Sequence, residues 1–495
     1  MEAIGETLEN VGLAQEIQNG LAAGLQKEPA WADEAAVQAK CAALETGGEH
    51  ALFQTSLGRY IMTEWALSAG MPAFPNQQAW EGFVKSAAFQ LLAKYRALTD
   101  QVAAQSVTHK MFAETRPLGR GAFGVVFLTF KKDSGMALAT KKIVKGAAKQ
   151  NNMLKSVVVE QEVLAKTRGR FCVGLHYSYQ DSVCIYLVLT LCPGGDLWFL
   201  LQTRSTDPKT GHPGGVYRKI GNDAVRFYTA SMACGLQAIH DAGFVYRDLK
   251  PHNVLLDAEG QLRVSDMGLC VDISGGRFVS AENDPLGPSI KHGTCGYWPP
   301  EVIREQPYRT HPDWWALGVT AFQMWCDRLP FFGQNDDEKN EMILDAAQKL
   351  PERFTHDEPA DLQKFVTDTL NVDMEARLGV QGGLAEVKRH EYFASFDWAA
   401  LEAGTMPAPI LPNINDINAP GKNEIPPFEK PKGVTWDESD QAHFERWEFF
   451  NSDLHGDEAI CRIRKRKELV AALAKDGLKP VTIKGGGGGG CCSVS

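Results

Sequence analysis

Apolar residues recur at helical spacing from the start of the chain. Ile4, Leu8 and Val11, then Ile17, Leu21 and Leu25, predict an amphipathic helix within residues 1–29. The same period returns at Leu52, Phe53, Leu57, Ile61 and Trp65, breaks at Pro72 and Pro75, and resumes from Trp80 to Leu98. Residues 30–112 therefore read as a helical domain, and they hold no catalytic constellation. At Leu118 the character changes: glycines punctuate two predicted strands in Gly119-Arg120-Gly121-Ala122-Phe123-Gly124-Val125-Val126. A third strand carries Ala139 and Lys141, and the helical stretch 157–166 carries Glu160. Residues 185–191 form an apolar strand that ends in the turn Cys192-Pro193-Gly194-Gly195. Near the far end, Ile463, Leu469, Leu473 and Leu478 alternate with charges and predict a solvated, charged helix.

Composition narrows the classes. With 44% hydrophobic and 23% charged residues over 495 positions, the chain is ordinarily globular, with room for about two to four domains. A net charge of −10 argues against a nucleic-acid partner. Eleven cysteines without a C-x-x-C spacing, and no signal-peptide pattern, read as reduced thiols in a cytoplasmic protein. No run of 18 apolar residues occurs, so any membrane contact is expected to be peripheral.

The chemistry concentrates in residues 245–256, V-Y-R-D-L-K-P-H-N-V-L-L, and in S-D-M-G at 265–268. Phosphoryl transfer to a hydroxyl needs a carboxylate to take the proton and a cation on the γ-phosphate. It also needs an amide oxygen and a second carboxylate to hold Mg2+. Asp248 and Lys250 fit the catalytic pair, and Asn253 and Asp266 fit the metal ligands. Asp-x-Lys-x-x-Asn followed 13 residues later by Asp-x-Gly is too specific for a polar loop between strands. Gly119 to Val126 would present backbone N–H groups to the phosphates of ATP, a motif that is weak alone. Lys141 lies at the distance expected of a third strand, where it grips the α- and β-phosphates, and Glu160 is its carboxylate partner. Strand alternation turns Lys142 to the other face, and Glu162 faces elsewhere on its helix. At the hinge, backbone groups of Thr190 and Cys192 would bind adenine, Asp196 would reach the ribose, and Leu189 would line the back of the pocket. Leu118, Ala139 and Leu255 complete the nucleotide set. Glu301 and Arg377 read as a buried ion pair, and Asp313 as a partner for the catalytic-loop backbone; these three are structural. The implied fold is α+β: a two-lobed protein kinase with a small β-rich lobe and a large helical lobe.

Y-R-D-L-K-P, D-W-W-A-L-G and A-R-L-G resemble the AGC protein kinases, and finer details are similar to the G protein-coupled receptor kinases. S-D-M-G-L resembles that family's S-D-L-G-L. Ile290 stands where most AGC kinases carry a phosphorylatable threonine, and the motif after it reads G-T-C-G-Y. Residues 432–441, ahead of Phe444, resemble the family's C-terminal tail. Residues 82–89 and 105–112 resemble the last helix of its RGS-homology domain where it joins the kinase, and Leu57-Gly58-Arg59-Tyr60 resembles a part of that domain. The resemblance implies an N-terminal all-helical RGS-homology-like domain, here shortened, and a Ser/Thr kinase acting on activated G protein-coupled receptors. It also implies a Gα subunit as a second partner and a monomeric state. The expected domains are a receptor-docking helix at 1–29, the helical domain at 30–112, the kinase domain at 113–394, the AGC tail at 395–452 and an anchor at 453–495. An AGC kinase with a soluble substrate and a non-catalytic scaffold are the alternatives. His252, where many relatives have Glu, removes a negative charge from the substrate cleft and favours acidic or docking-selected substrates.

The anchor is read from three features. Residues 461–484 carry eight Lys or Arg against Glu468 and Asp476, six glycines follow at 485–490, and the chain reads Cys491-Cys492-Ser493-Val494-Ser495. This is C-a-a-X-like and predicts a farnesyl on Cys492, with Cys491 as a palmitoylation site. One lipid binds reversibly; the basic run on an anionic leaflet supplies a second signal, so the expected location is the cytoplasmic face of the membrane.

Overall fold

The computed structural model describes residues 34–53, 55–69, 77–103, 106–120, 124–167, 169–203, 220–354, 357–412, 434 and 436–475. The expected helix within 1–29, the phosphate-binding candidates Gly121, Ala122 and Phe123, and the lipidation candidates Cys491 and Cys492 lie outside these residues. The chain divides into two compact units. One takes the described residues of Met1–Thr115, Leu128–Leu138 and Phe450–Ser495, and the other takes Arg116–Phe127 and Ala139–Phe449.

The first unit is helical, as the apolar period predicts. Its helices are α1 (Glu34–Phe53), α2 (Ser56–Ser68), α3 (Gln77–Val84) and α4 (Ala87–Ala103). Thr55 caps α2 by accepting from Gly58 N at 3.1 Å, which satisfies one of the free donors of the first turn. Leu57, Ile61, Met62, Phe83, Phe89 and Leu92 are buried together. The Phe83 ring meets Trp65 and Phe89 edge-on at centroid distances of 5.4 and 5.6 Å, the geometry that aromatic quadrupoles favour.

A sheet of β1 (Phe112–Arg120), β2 (Gly124–Lys131), β3 (Ala137–Val144), β4 (Leu175–Gln180) and β5 (Cys184–Thr190), most of it in the second unit, runs in the order β1-β2-β3-β5-β4, with the short strand Phe449–Phe450 beside β4. Two helices accompany it, α5 (Lys145–Gln150) and α6 (Leu154–Lys166). The larger, helical lobe is built on α7 (Leu197–Thr203), α8 (Asn222–Asp241), α9 (His311–Cys326) and α10 (Ala360–Thr369). Two small antiparallel pairs lie in this lobe. One is β6 (Phe244–Val245) with β9 (Val271–Asp272); the other is β7 (Val254–Leu256) with β8 (Leu262–Val264). Helix α9 is buried from His311 to Met324, so D-W-W-A-L-G is a core helix and not an amphipathic one. Gly318 in it is a close-approach position, because a Cβ there would collide with the Thr369 side chain of α10.

The tail packs on the sheet. Helix α11 (Glu438–Ala442) opens with a capping box between Asp437 and Asp440. Trp447 is buried and donates its indole N–H to Tyr179 O at 2.9 Å, while Ser178 Oγ donates to Trp447 O. Gln180 Nε2 donates to Phe444 O at 2.8 Å, and Lys149 pairs with Asp440 at 2.5 Å. The last helix, α12 (Ser452–Lys475), begins ahead of the stretch 461–484 read as a solvated charged helix, and of that stretch's apolar residues Ile463 packs inward. Ala459 is buried in the core of the helical unit, with Ile460 and Ile463 packed against it. His455 Nδ1 lies 2.9 Å from Thr99 Oγ1, Glu458 pairs with buried Lys131 at 3.0 Å, and the Arg464 guanidinium lies 5.2 Å from the Tyr60 ring centroid. Among the described residues no helix is long and apolar enough to cross a membrane.

Candidate active site

The catalytic loop is positioned from below by one fully buried carboxylate. Asp313, in the first turn of α9, accepts Tyr246 N at 2.9 Å, Arg247 N at 2.7 Å and His240 Nε2 at 2.7 Å. These bonds hold a backbone that is not at rest, since Arg247 has φ +73°. On the far side of the loop, Ser265 N and Oγ both donate to Asn253 O at 2.9 Å, and Tyr246 Oη donates to Ser265 O at 2.5 Å. The loop and the S-D-M-G segment are thereby locked together.

Within this frame the predicted polar residues converge. Lys250 Nζ donates to Asp248 Oδ2 at 2.7 Å, and Asn253 Nδ2 donates to the same oxygen at 2.7 Å and to Asp248 O at 2.9 Å. Thr294, to which the sequence reading gave no role, donates to Asp248 Oδ1 at 2.8 Å and accepts from Lys250 Nζ at 2.7 Å. Its place in G-T-C-G-Y was the available signal. Both oxygens of Asp248 are thus held by donors, which orients the carboxylate.

The nucleotide-side cations and carboxylates meet as well. Lys141 Nζ lies 2.6 and 2.8 Å from the two oxygens of buried Glu160 on α6, and 3.7 Å from Asp266 Oδ1. Burial alone would lower the Lys141 pKa, but Glu160 and Asp266 outweigh it and raise it above the ordinary lysine value, so the ammonium stays charged. Ser156, also on α6, donates to Gly268 O and ties the helix to the S-D-M-G turn, where Asp266 adopts the left-handed conformation at φ +55°. Lys142 is elsewhere: its Nζ lies 5.5 Å from the Tyr186 ring centroid. Glu162 forms a surface pair with Lys166 at 2.6 Å.

The remaining nucleotide candidates line up along the strands. Leu118, Gly119 and Arg120 end β1, and Gly124, Val125 and Val126 begin β2; Gly121 to Phe123 lie outside the described residues. Ala139 and Lys141 are two apart on β3 and share a face. Half-buried Leu189 and Thr190 end β5; the Thr190 N–H donates to Gly174 O at 2.9 Å, so the backbone group it offers a base is its carbonyl. Burial pushes the Cys192 thiol up to about 12, leaving a neutral, soft wall. Asp196 caps α7 by accepting Phe199 N at 2.7 Å and is bridged to Leu255, so one of its oxygens is spent locally. Burial raises its pKa, against the pull of the Phe199 N–H and His252. Glu301 and Arg377 form a buried bidentate pair at 2.5 and 2.9 Å, as read from the sequence.

The donor set fits a divalent cation. Asn253 uses its amide nitrogen on Asp248, which leaves the amide oxygen as the end available for a cation, and the Asp266 side chain is 56% exposed. Both are hard oxygen donors. Among the described residues no group of three His, Cys, Asp or Glu side chains could hold a metal, so an ion here would need phosphate oxygens and water to complete its shell.

A protein kinase domain family model matches residues 112–393. Rhodopsin kinase grk7a of Danio rerio is 34% identical over 351 residues, 69% of this chain and 59% of that protein. G protein-coupled receptor kinase 2 of Drosophila melanogaster is 33% identical over 349 residues, 70% of this chain and 46% of that protein. Rhodopsin kinase GRK7 of Sus scrofa is 31% identical over 414 residues, 83% of this chain and 69% of that protein. The chain thus spans less than two thirds of the length of the first two. A protein kinase domain is one that uses ATP with a divalent metal. By these matches and by the geometry they fall on, the chain belongs to the protein kinases and, within them, to the G protein-coupled receptor kinase family.

Proposed function

We propose that the chain is a Ser/Thr protein kinase that transfers the γ-phosphate of ATP to hydroxyls of activated G protein-coupled receptors and so desensitises signalling. The observation that carries this reading is the closed hydrogen-bond set of Asp248, Lys250, Asn253 and Thr294 beside the Lys141–Glu160 pair. Asp248 orients the acceptor hydroxyl and takes its proton as the new O–P bond forms and the bond to the β-phosphate oxygen breaks, releasing ADP. Lys250 steadies the γ-phosphate, and Lys141, fixed by Glu160, holds the α- and β-phosphates. Asn253 and Asp266 would hold Mg2+, which when bound neutralises charge on the phosphate oxygens. Gly119 to Val126 cover the phosphates, and Thr190, Cys192, Asp196, Leu189, Leu118, Ala139 and Leu255 receive the nucleoside.

Substrate choice is part of the proposal. His252 is exposed at the catalytic loop and stacks on Trp198 at 4.8 Å between ring centroids. Burial of part of its ring, with Lys250 nearby, lowers its pKa although Asp196 opposes the shift. A neutral imidazole gives an Arg-rich peptide nothing to pair with, which supports acidic or docking-selected acceptors. The helical unit is proposed as the RGS-homology-like, Gα-facing part of a monomer. Residues 461–484 with Cys491 and Cys492 are proposed to hold the protein on the cytoplasmic face of an anionic membrane.

The test is transfer of labelled phosphate from ATP to a detergent-solubilised receptor, with and without agonist, beside an acidic and an Arg-rich peptide. The expected result is agonist-dependent labelling and preference for the acidic peptide. A wild-type chain that labels no acceptor would remove the kinase reading, and preference for the Arg-rich peptide would favour a soluble-substrate AGC kinase.

A further inference from the structure

We infer that Asp284 is a built-in counter-ion for Arg247: a positioning residue that supplies, from within the chain, the anion other kinase activation segments obtain by phosphorylation. The inference rests on the kinase reading above. Arg247 immediately precedes Asp248, and its side chain is buried. Its Nη1 donates to Asp284 Oδ2 and to Tyr308 Oη at 3.2 Å, and Nη2 reaches Asp284 Oδ1 at 3.5 Å. Its Nε donates to Leu269 O at 2.7 Å, directly after the S-D-M-G turn. One guanidinium therefore joins the catalytic loop, the metal-side turn and the segment around Asp284.

Asp284 is built into its place. Its side chain has no exposure, its N–H donates to Ser280 O at 3.0 Å, and its Oδ1 accepts Leu286 N at 3.0 Å. His292 Nε2 lies 3.6 Å from Oδ2. Tyr308 closes the assembly: it exchanges backbone hydrogen bonds with Val279, and its hydroxyl donates to Ile290 O at 3.0 Å. Ile290 itself is buried with Val245, Val271, Ile273 and Val279, so the position has no hydroxyl and no route for a phosphate. Three residues on, Gly293 at φ +101° passes so close to Arg247 O that a Cβ would collide with it. Thr294, next in the chain, is the residue that touches both Asp248 and Lys250. The path from Asp284 to the reacting atoms is thus short and made of buried bonds. A carboxylate with two oxygens matches the guanidinium fork as a phosphate would.

The test uses the full chain and three readouts. Asp284→Asn is expected to lower kcat on the order of 100-fold, the scale of a small displacement of catalytic groups. KM for ATP should stay within about threefold, because Arg247 reaches the metal-side turn only at Leu269 O and not at the side chains of Lys141, Glu160 or Asp266. Asp284→Glu should recover most of the loss, and phosphatase treatment of wild type should leave its rate unchanged, as should Ser280→Ala and Ser289→Ala. Amide exchange in Asp284→Asn should rise at residues 246–250 and 278–292. Wild-type kcat in a folded Asp284→Asn protein would overturn the inference, as would loss of wild-type activity on phosphatase treatment. Should wild type transfer no phosphate at all, the kinase reading falls by itself, and the exchange experiment still decides: unchanged protection at those residues sinks the role of Asp284.

Discussion

At the residue scale the site is made of charges that hold one another. Asp248 carries the proton acceptance in the proposed reaction, so Asp248→Asn is expected to abolish turnover while leaving ATP binding, measured by thermal shift, nearly intact. Lys141→Met should lower kcat/KM by a factor of about 10² or more, since it removes the charge that meets the phosphates and leaves buried Glu160 unpaired. Arg377 has no exposure and meets Glu301 with two bonds, so Arg377→Ala strands a buried carboxylate. It should cost about 3–5 kcal/mol in denaturant unfolding of the catalytic unit. The catalytic set was legible in the sequence because the chemistry itself fixes the spacing of Asp248, Lys250, Asn253 and Asp266 within 19 residues. Thr294 and Asp284 were not. They reach Asp248 and Arg247 across 46 and 37 residues; Thr294 had its place in G-T-C-G-Y as a signal, while only the folded path of the segment brings Asp284 to Arg247.

At the scale of elements, the two ends of the chain behave differently from their linear pattern. The period of 3.6 identified the helices of the first unit, but it could not say that the first turns of α12 fill the same core. Charge obscured the signal, because Arg462 and Arg464 surround the Ile463 that packs inward. His455 in those turns gives a pH test. Burial pushes its pKa down to about 4, the Lys131 and Arg462 cations push the same way, and Asp133 opposes. A depressed histidine contributes its stability in full above the unfolded value near 6.5, and that stability is lost as pH falls toward about 4. The urea midpoint of the helical unit should therefore drop between pH 7 and pH 5.5, by about 1 kcal/mol equivalent. His455→Gln should flatten that dependence; an unaltered slope would remove His455 as its source. The tail element gives a second test. Trp447 is buried against Tyr179 and Ser178 of β4, the strand whose Gln180 also holds Phe444. Trp447→Ala should release the tail, measured by faster proteolysis at residues 436–450, and lower kcat/KM by roughly tenfold or more, because a buried Trp is worth about 3–5 kcal/mol of packing.

At the scale of the whole molecule, the folded core and the proposed membrane anchor draw on the same C-terminal stretch, and the two can be separated. The helical unit takes described residues from both ends of the chain, so α12 is part of a folded core before it is part of any anchor. Beyond it run the remaining basic residues, six glycines and the cysteine pair. The proposed farnesyl of 15 carbons, at ~0.8 kcal/mol per buried CH₂, would supply up to about 12 kcal/mol gross, much of it lost to immobilisation and incomplete burial. Each basic residue adds about 1 kcal/mol on an anionic leaflet, screened over about 8 Å. Two classes of variant should therefore part. Cys492→Ser should move the protein from the membrane to the soluble fraction of a prenylating cell with no change in urea midpoint. Neutralising Arg464 to Lys467 should weaken vesicle binding and flatten its salt dependence. Ala459→Asp should do the reverse of Cys492→Ser, lowering the midpoint of the helical unit by about 2–4 kcal/mol through an unpaired buried charge while the lipid signal remains intact. A Cys492→Ser protein that stayed on the membrane as fully as wild type would rule out the lipid anchor and leave the basic segment to carry the attachment alone.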